Sequence, residues 1–251
     1  MNPAVGSSTF QAMEVSLFIP CLVDRFLPEI GEATADVLER MGHKVVYDSR
    51  QTCCGQPAYN SGHTREAAAL ARRFMDVFER AEAVVAPSGS CVSMVVNHYG
   101  DLPLSDRDLG RWAELRERVF ELSRFLSRDL ENFSSIWRGR AVVHHSCHFL
   151  REVSGAASLA PLLDKVEGLD WSLLPDAACC GFGGAFSARL PQVSMAMGDD
   201  MLDDLEATGV DTLVLADAGC ILHLRGMLES RDPEMRTRIL HYAQILAGEE
   251  Q

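Results

Sequence analysis

Short apolar, β-branched runs alternate along this chain with longer stretches in which apolar residues recur at helical spacing. Val15–Cys21 and Ala83–Gly89 are strand-length, rich in Val, Leu and Ile, and end in turn residues, as buried parallel strands do. Between them, Glu32–Met41 carries Ala33, Val37, Leu38 and Met41 at helical spacing and meets a stop at Gly42. Thr64–Ala81 places Ala67, Leu70, Ala71, Phe74 and Phe78 on one side of a second helix, and Val45–Tyr47 is a weaker strand between the two. The same order then returns. Ala141–Cys147 and Thr212–Gly219 read as strands, Leu169–Leu173 as the weaker one, and Gln192–Ala207 as a helix stopped at Gly209.

Each half therefore predicts strand–helix–strand–turn–helix–strand–helix. That alternation implies an α/β fold with a parallel sheet covered by helices on both faces. The expected organisation is two homologous parallel-sheet α/β halves related by internal duplication: residues 1–100, a helical connector over 101–139, and residues 140–251. Within the connector, Arg111–Asp129 predicts a helix with Leu115, Val119, Leu122, Phe125 and Leu126 as a core stripe.

The duplication is sharpest in the cysteines. Cys21 to Cys53 and Cys147 to Cys179 both span 32 positions. Each second position opens the tripeptide Cys-Cys-Gly, at Cys53-Cys54-Gly55 and Cys179-Cys180-Gly181, and a fourth cysteine follows at Cys91 or Cys220. Cys21, Cys91, Cys147 and Cys220 fall just after predicted strands, where open parallel sheets bind ligands. All four cysteines of a half can thus converge at one sheet edge.

The formal charge of −13, from 36 acidic and 23 basic residues, disfavours nucleic acid and anionic membrane surfaces as partners. Met1–Met13 lacks the pattern of a secretory leader, and no apolar run is long enough for a transmembrane helix. The expected compartment is the cytoplasm, where disulfides rarely persist, so eight cysteines point to metal or redox use.

Four converging thiolates are a soft donor set suited to an iron–sulfur cluster, to zinc or to Cu(I). Vicinal pairs could also cycle as disulfides. On these residues the doubled C-x31-CCG-x(36–39)-C pattern resembles the cysteine-rich CCG domain found in heterodisulfide reductase and in the iron–sulfur subunit of glycolate oxidase. Phe-Ile-Pro-Cys, Cys-Cys-Gly-Gln-Pro, Ser-Gly-Ser-Cys and Cys-Cys-Gly-Phe-Gly-Gly, in a chain without a ferredoxin-type cysteine run, are most similar to the L-lactate utilisation protein A family. The resemblance implies a part in oxidising L-lactate, a small 2-hydroxy acid, to pyruvate, with partner iron–sulfur subunits. It also implies electron transfer through cysteine-bound clusters, [4Fe–4S] for a four-cysteine set. The family pattern ends each copy in C-x2-C; here Met94 and His223 stand at the last position. His223 is a further candidate ligand, because imidazole binds iron and zinc. His144, His145 and His148 flank Cys147, and Gly181–Gly184 forms a loop that could aim N–H groups at an anion or at cluster sulfur. Arg25, Arg65, Arg151 and Arg189 lie near the cysteines in sequence and could meet a carboxylate.

Overall fold

The computed structural model describes residues 12–175, 179–231 and 237–248. Most of the stretch on which the leader argument rests, residues 1–11, lies outside them. The first half runs β1 (Glu14–Leu17), α1 (Cys21–Phe26), α2 (Pro28–Arg40), β2 (Lys44–Val46), α3 (Gln56–Asn60), α4 (Thr64–Phe78), β3 (Ala83–Ala86), α5 (Gly89–Ser93), α6 (Asp106–Leu115), β4 (Val119–Glu121) and α7 (Leu122–Leu126). The second runs β5 (Ser135–His144), α8 (Cys147–Arg151), α9 (Gly155–Leu163), β6 (Val166–Leu173), α10 (Ala185–Arg189), α11 (Pro191–Thr208), β7 (Thr212–Leu215), α12 (Ala218–Arg231), β8 (Arg238–His241) and α13 (Tyr242–Ala247).

Each half is a four-stranded, all-parallel sheet. The orders are β2-β1-β3-β4 and β6-β5-β7-β8, the same topology twice. The central strands β3 and β7 are buried along their whole length, which is why Ala83–Ala86 and Thr212–Leu215 show no polar alternation. The chain leaves β1 toward β2 on one side and returns to β3 on the other. The carboxyl ends of β1 and β3, and of β5 and β7, therefore open a crevice.

One expected element differs. The helix expected over Arg111–Asp129 is broken: Val119–Glu121 is a strand that pairs with β3. Val119, Leu122, Phe125 and Leu126 are core residues as expected, but they come from a strand and a short helix rather than one stripe. The β-branched and aromatic pair Val119-Phe120 suits a sheet edge, and long-range pairing overrides the weak local helix signal.

The halves interlock about a pseudo-twofold relation. Helix α13 of the second half packs on α2 of the first, and its counterpart α7 packs on α9. Helices α5 and α8 cross next to the crevice, as do α12 and α1. The α5–α8 crossing needs Gly89, because a Cβ there would lie 2.6 Å from the Phe149 Cα. One continuous hydrophobic core runs through both halves.

Candidate functional site

The crevices of the two sheets face each other and merge into one cavity of about 510 Å³. All eight cysteines line it. Four sulfurs per sheet edge were expected from the sequence; the meeting of the two sets across a shared space is a tertiary result.

Local structure explains each sulfur's position. Cys21 and Cys147 open α1 and α8 directly after the turns that leave β1 and β5. Cys91 and Cys220 lie in the first turns of α5 and α12. The Cys-Cys-Gly glycines, Gly55 and Gly181, have φ of +92° and +86°. Glycine adopts that region freely, and it turns each glycine N–H onto the preceding sulfur, 3.4 Å from Cys53 Sγ and 3.5 Å from Cys179 Sγ. At Gly181 space forbids a side chain as well, since a Cβ would meet the Ser194 carbonyl oxygen at 2.3 Å. Gln51 ties the first Cys-Cys-Gly segment to the end of β1 by accepting from Ile19 N–H and donating to the Leu17 carbonyl. The buried Tyr99 hydroxyl donates to the Cys54 carbonyl at 2.8 Å.

Within each half the sulfurs hydrogen-bond to one another. Hydrogen bonds from Cys21 and Cys54 hold Cys53 down at about 3, and donating pushes the Cys21 and Cys54 thiols up. Cys147 and Cys180 act in the same way on Cys179, which is held down to about 2. Cys54 and Cys91 sulfurs are 3.3 Å apart, Cys180 and Cys220 sulfurs 2.8 Å. Among the described residues no three His, Cys, Asp or Glu side chains are already gathered at metal-coordinating geometry. The donor set nonetheless fits a thiophilic centre: four sulfurs per half line one cavity, and in each half the first Cys-Cys-Gly thiol is shifted toward its thiolate by hydrogen bonds from its neighbours.

The two sets have unlike surroundings. In the first half Gln56, Ser88 and Ser90 line the cavity; in the second, Phe182, Asp217 and Gly219 hold the corresponding places. Gly219 is required there, because a Cβ would lie 2.5 Å from the Phe182 ring. Asp217 was not legible as a site residue. Its first-half counterpart Ser88 caps its own helix by accepting from the Cys91 N–H. The Asp217 carboxylate instead crosses to the other half and accepts from Ser88 Oγ–H at 2.7 Å, Ser90 Oγ–H at 2.7 Å and Ser90 N–H at 3.1 Å. Burial pushes its carboxyl above the usual range. The signal available in the sequence was the Ser88/Asp217 mismatch in otherwise matching copies.

The other candidates separate. His148 lines the cavity, with Nδ1 3.5 Å from Cys147 Sγ and Nε2 3.5 Å from Gln56 Nε2. His223 is not among the lining residues; its Nε2 lies 3.4 Å from both Ser194 Oγ and the Ser194 carbonyl. Met94 is fully buried. His144 is buried behind the cysteines and His145 is half-buried; burial holds both below the usual imidazole range, His144 at about 4. Arg25, Arg65, Arg151 and Arg189 are all exposed and outside the lining, so among the described residues no arginine or lysine lines the cavity. Of the glycine loop, Gly183 and Gly184 form part of the cavity wall.

Fold and site together define a tandem cysteine-rich α/β protein, and the comparisons with known proteins agree. The cysteine-rich CCG domain model matches residues 15–96 and 141–225, one copy per half. Lactate utilization protein A of Halalkalibacterium halodurans is 41% identical over 245 residues, covering 95% of this chain and 98% of that protein. The Bacillus velezensis and Bacillus subtilis proteins of the same name are 39% and 37% identical, each covering 93% of this chain and 99% of the relative. The chain belongs to the lactate utilization protein A family, with the CCG cysteine-rich domain in two copies. A putative Asp/Glu racemase from Yersinia pestis is similar in structure at a TM-score of 0.38 and 12% identity, too distant to argue from. Among the described residues no helix is long and apolar enough to cross a membrane.

Proposed function

We propose that this chain is an iron–sulfur oxidoreductase subunit of a lactate-utilisation system, taking part in the oxidation of L-lactate to pyruvate with partner iron–sulfur proteins. The observation that carries the reading is the gathering of all eight cysteines on one cavity, as two four-sulfur sets. Cys21, Cys53, Cys54 and Cys91 are the proposed ligands in the first half, and Cys147, Cys179, Cys180 and Cys220 in the second. A bound cluster, [4Fe–4S] for a four-thiolate set, supplies one-electron transfer. The chain's residues do the rest. Gly55 and Gly181 N–H groups donate to the Cys53 and Cys179 sulfurs, and such donors tune potential. Phe182 shields the second set, and Tyr99 fixes the Cys-Cys-Gly backbone in the first. His148, against Cys147 and facing the cavity, is placed to hold a polar group of a bound molecule.

Anaerobically prepared protein is expected to be brown, with iron and sulfide in equal amounts and a cluster signal by electron paramagnetic resonance. Cys53→Ser and Cys179→Ser should each lower iron content. A colourless protein holding zinc that resists chelation would replace this reading with a structural zinc site. The 2.8 Å contact between Cys180 and Cys220 sulfurs supports a second reading, a thiol–disulfide reductase subunit. There the two thiols would pass two electrons and two protons to a substrate disulfide, whose S–S bond opens to two thiols as theirs forms. Metal-free protein whose free-thiol count falls by two per half on mild oxidation would favour it.

A further inference from the structure

The last cysteines of the two sets, Cys91 and Cys220, are tied to one residue. Asp217 stands immediately before α12, and its carbonyl oxygen accepts from the Cys220 and Ile221 N–H groups at 3.1 and 3.3 Å. The main chain of Asp217 thus holds the first turn of its own half. Its side chain serves the other half. Ser88 caps α5 and Ser90 lies in its first turn. Their three donors, Ser88 Oγ–H, Ser90 Oγ–H and Ser90 N–H, converge on one oxygen, Asp217 Oδ1. Ser88 Oγ has one proton to give, and it gives it to the carboxylate. Its lone pairs are left for the Cys91 N–H, which it accepts at 3.2 Å. A continuous chain therefore runs from the Cys91 N–H through Ser88 to Asp217, and hydrogen bonds in such a chain strengthen one another.

The rest of α5 is held from the same side. Gly89 lies against the Phe149 backbone of α8. At the far end of α5 the Ser93 hydroxyl donates to the Glu152 carboxylate, and just beyond it Asn97 Nδ2 donates to the Glu152 carbonyl at 3.3 Å. Asp217, Phe149 and Glu152 all belong to the second half. The helix that carries Cys91 is thus fixed along its length by the half that does not contain it. The internal repeat also shows that the fold itself does not call for a carboxylate at 217. Ser88 stands at the matching place in the first half, and there a hydroxyl is enough to start the helix. A carboxylate buried to 5% exposure costs desolvation unless its hydrogen bonds offset it. Here all three of those bonds go to the start of α5.

We propose that Asp217 is a positioning residue for Cys91, so that the second half fixes the fourth sulfur of the first set. The proposal rests on the reading of each four-sulfur set as one binding site. Without the carboxylate, Cys91 loses its fixed direction beside Cys54, whose sulfur lies 3.3 Å away. Cys220 keeps its place, because the main-chain bonds to the Asp217 carbonyl survive a change of side chain. A substitution in the second half is therefore read out in the first.

The test uses the full chain in two states. In reduced, metal-free protein, the rate at which iodoacetamide labels each cysteine is read by mass spectrometry. Asp217→Ala should speed labelling of Cys91 about tenfold and leave Cys220 within about twofold of wild type. Asp217→Asn keeps an oxygen for the three donors and should stay within about twofold at both cysteines. Asp217→Ser, which carries the first half's own residue, is measured alongside and should change Cys91 in the same direction as Asp217→Ala. In anaerobically reconstituted protein, C179S leaves the first set intact and C53S leaves the second. Asp217→Ala should remove most of the iron from the C179S background and little from the C53S background. Circular dichroism confirms that each variant is folded. Unchanged Cys91 labelling in the folded Ala or Ser variant overturns the proposal, as does a loss confined to Cys220 and to second-set iron. So does an Asp217→Asn effect as large as that of Asp217→Ala, which would make charge rather than hydrogen bonding the cause. Iron missing from the wild type counts against the cluster reading alone, because the labelling needs no metal.

Discussion

Glu121 is a fully buried carboxylate at the junction of the halves. It accepts hydrogen bonds from the Ser123 N–H and hydroxyl of its own half and from the Tyr242 hydroxyl of the other. Burial outweighs these donors and pushes its pKa from 4.5 to about 7. A carboxyl whose folded pKa is raised holds its proton more tightly in the folded state. The stability it contributes is full below about 4.5 and is lost as pH rises through about 7. At about 1.4 kcal/mol per pKa unit, the whole loss is about 3 kcal/mol. His144 and His241 oppose it. Burial lowers each from 6.5 to about 4, so each adds stability as pH rises through that interval. The wild-type curve therefore mixes opposite slopes, and only a difference isolates Glu121. Glu121→Gln removes the ionisation and keeps the shape. Its constant cost is about 1–3 kcal/mol, because the amide N–H groups need new acceptors. On top of that offset, the variant should gain about 3 kcal/mol on the wild type between about pH 4.5 and 8. Urea unfolding followed by circular dichroism at half-unit pH steps, with both proteins in the same metal state, measures the difference. Parallel curves across the range would refute the reasoning.

Other substitutions test the packing and the site. Gly89→Ala drives a methyl onto the Phe149 backbone at the α5–α8 crossing, which cannot move aside as a side-chain tip can. It should cost about 1–3 kcal/mol or more by urea midpoint, and would count against the crossing if neutral. Met94→Leu conserves volume at a fully buried site, so stability should change by less than about 1.5 kcal/mol with iron content intact. Folded but iron-poor protein would make Met94 a ligand instead. Gly181→Ala forces a Cβ against the Ser194 carbonyl at a positive φ and should lower iron binding in the second half while sparing the first, read from the cluster signals. Ser90→Ala removes one of three donors to the buried Asp217 carboxylate and should cost about 1–3 kcal/mol.

Much of the fold is legible in the residue pattern. The apolar runs at Val15, Ala83 and Thr212 are strands within a few residues of their expected limits, the strand expected from Ala141 starts well before it, at Ser135, and Gly209 ends α11 in the left-handed region. The fourth strand of each sheet escapes that pattern, although a signal exists. Arg118-Val119-Phe120-Glu121 in the first half matches Arg238-Ile239-Leu240-His241 in the second. Both are edge strands of three or four residues followed at once by a short helix, too brief for a period to show. The repeat thus runs through the segment expected to be a helical connector.

What the sequence determined by itself is local and repetitive: where the chain turns, which residues are apolar, and that one four-cysteine pattern occurs twice. Those follow from residue type and spacing, and a duplicated spacing imposes a duplicated sheet order. Only the tertiary structure decided that both sulfur sets share one cavity and that Asp217 reaches across to Ser88 and Ser90. The physical reason is that these contacts join residues far apart in sequence. They depend on how α5 meets α8 and α12 meets α1, which is set by the packing of two whole halves rather than by any period along one.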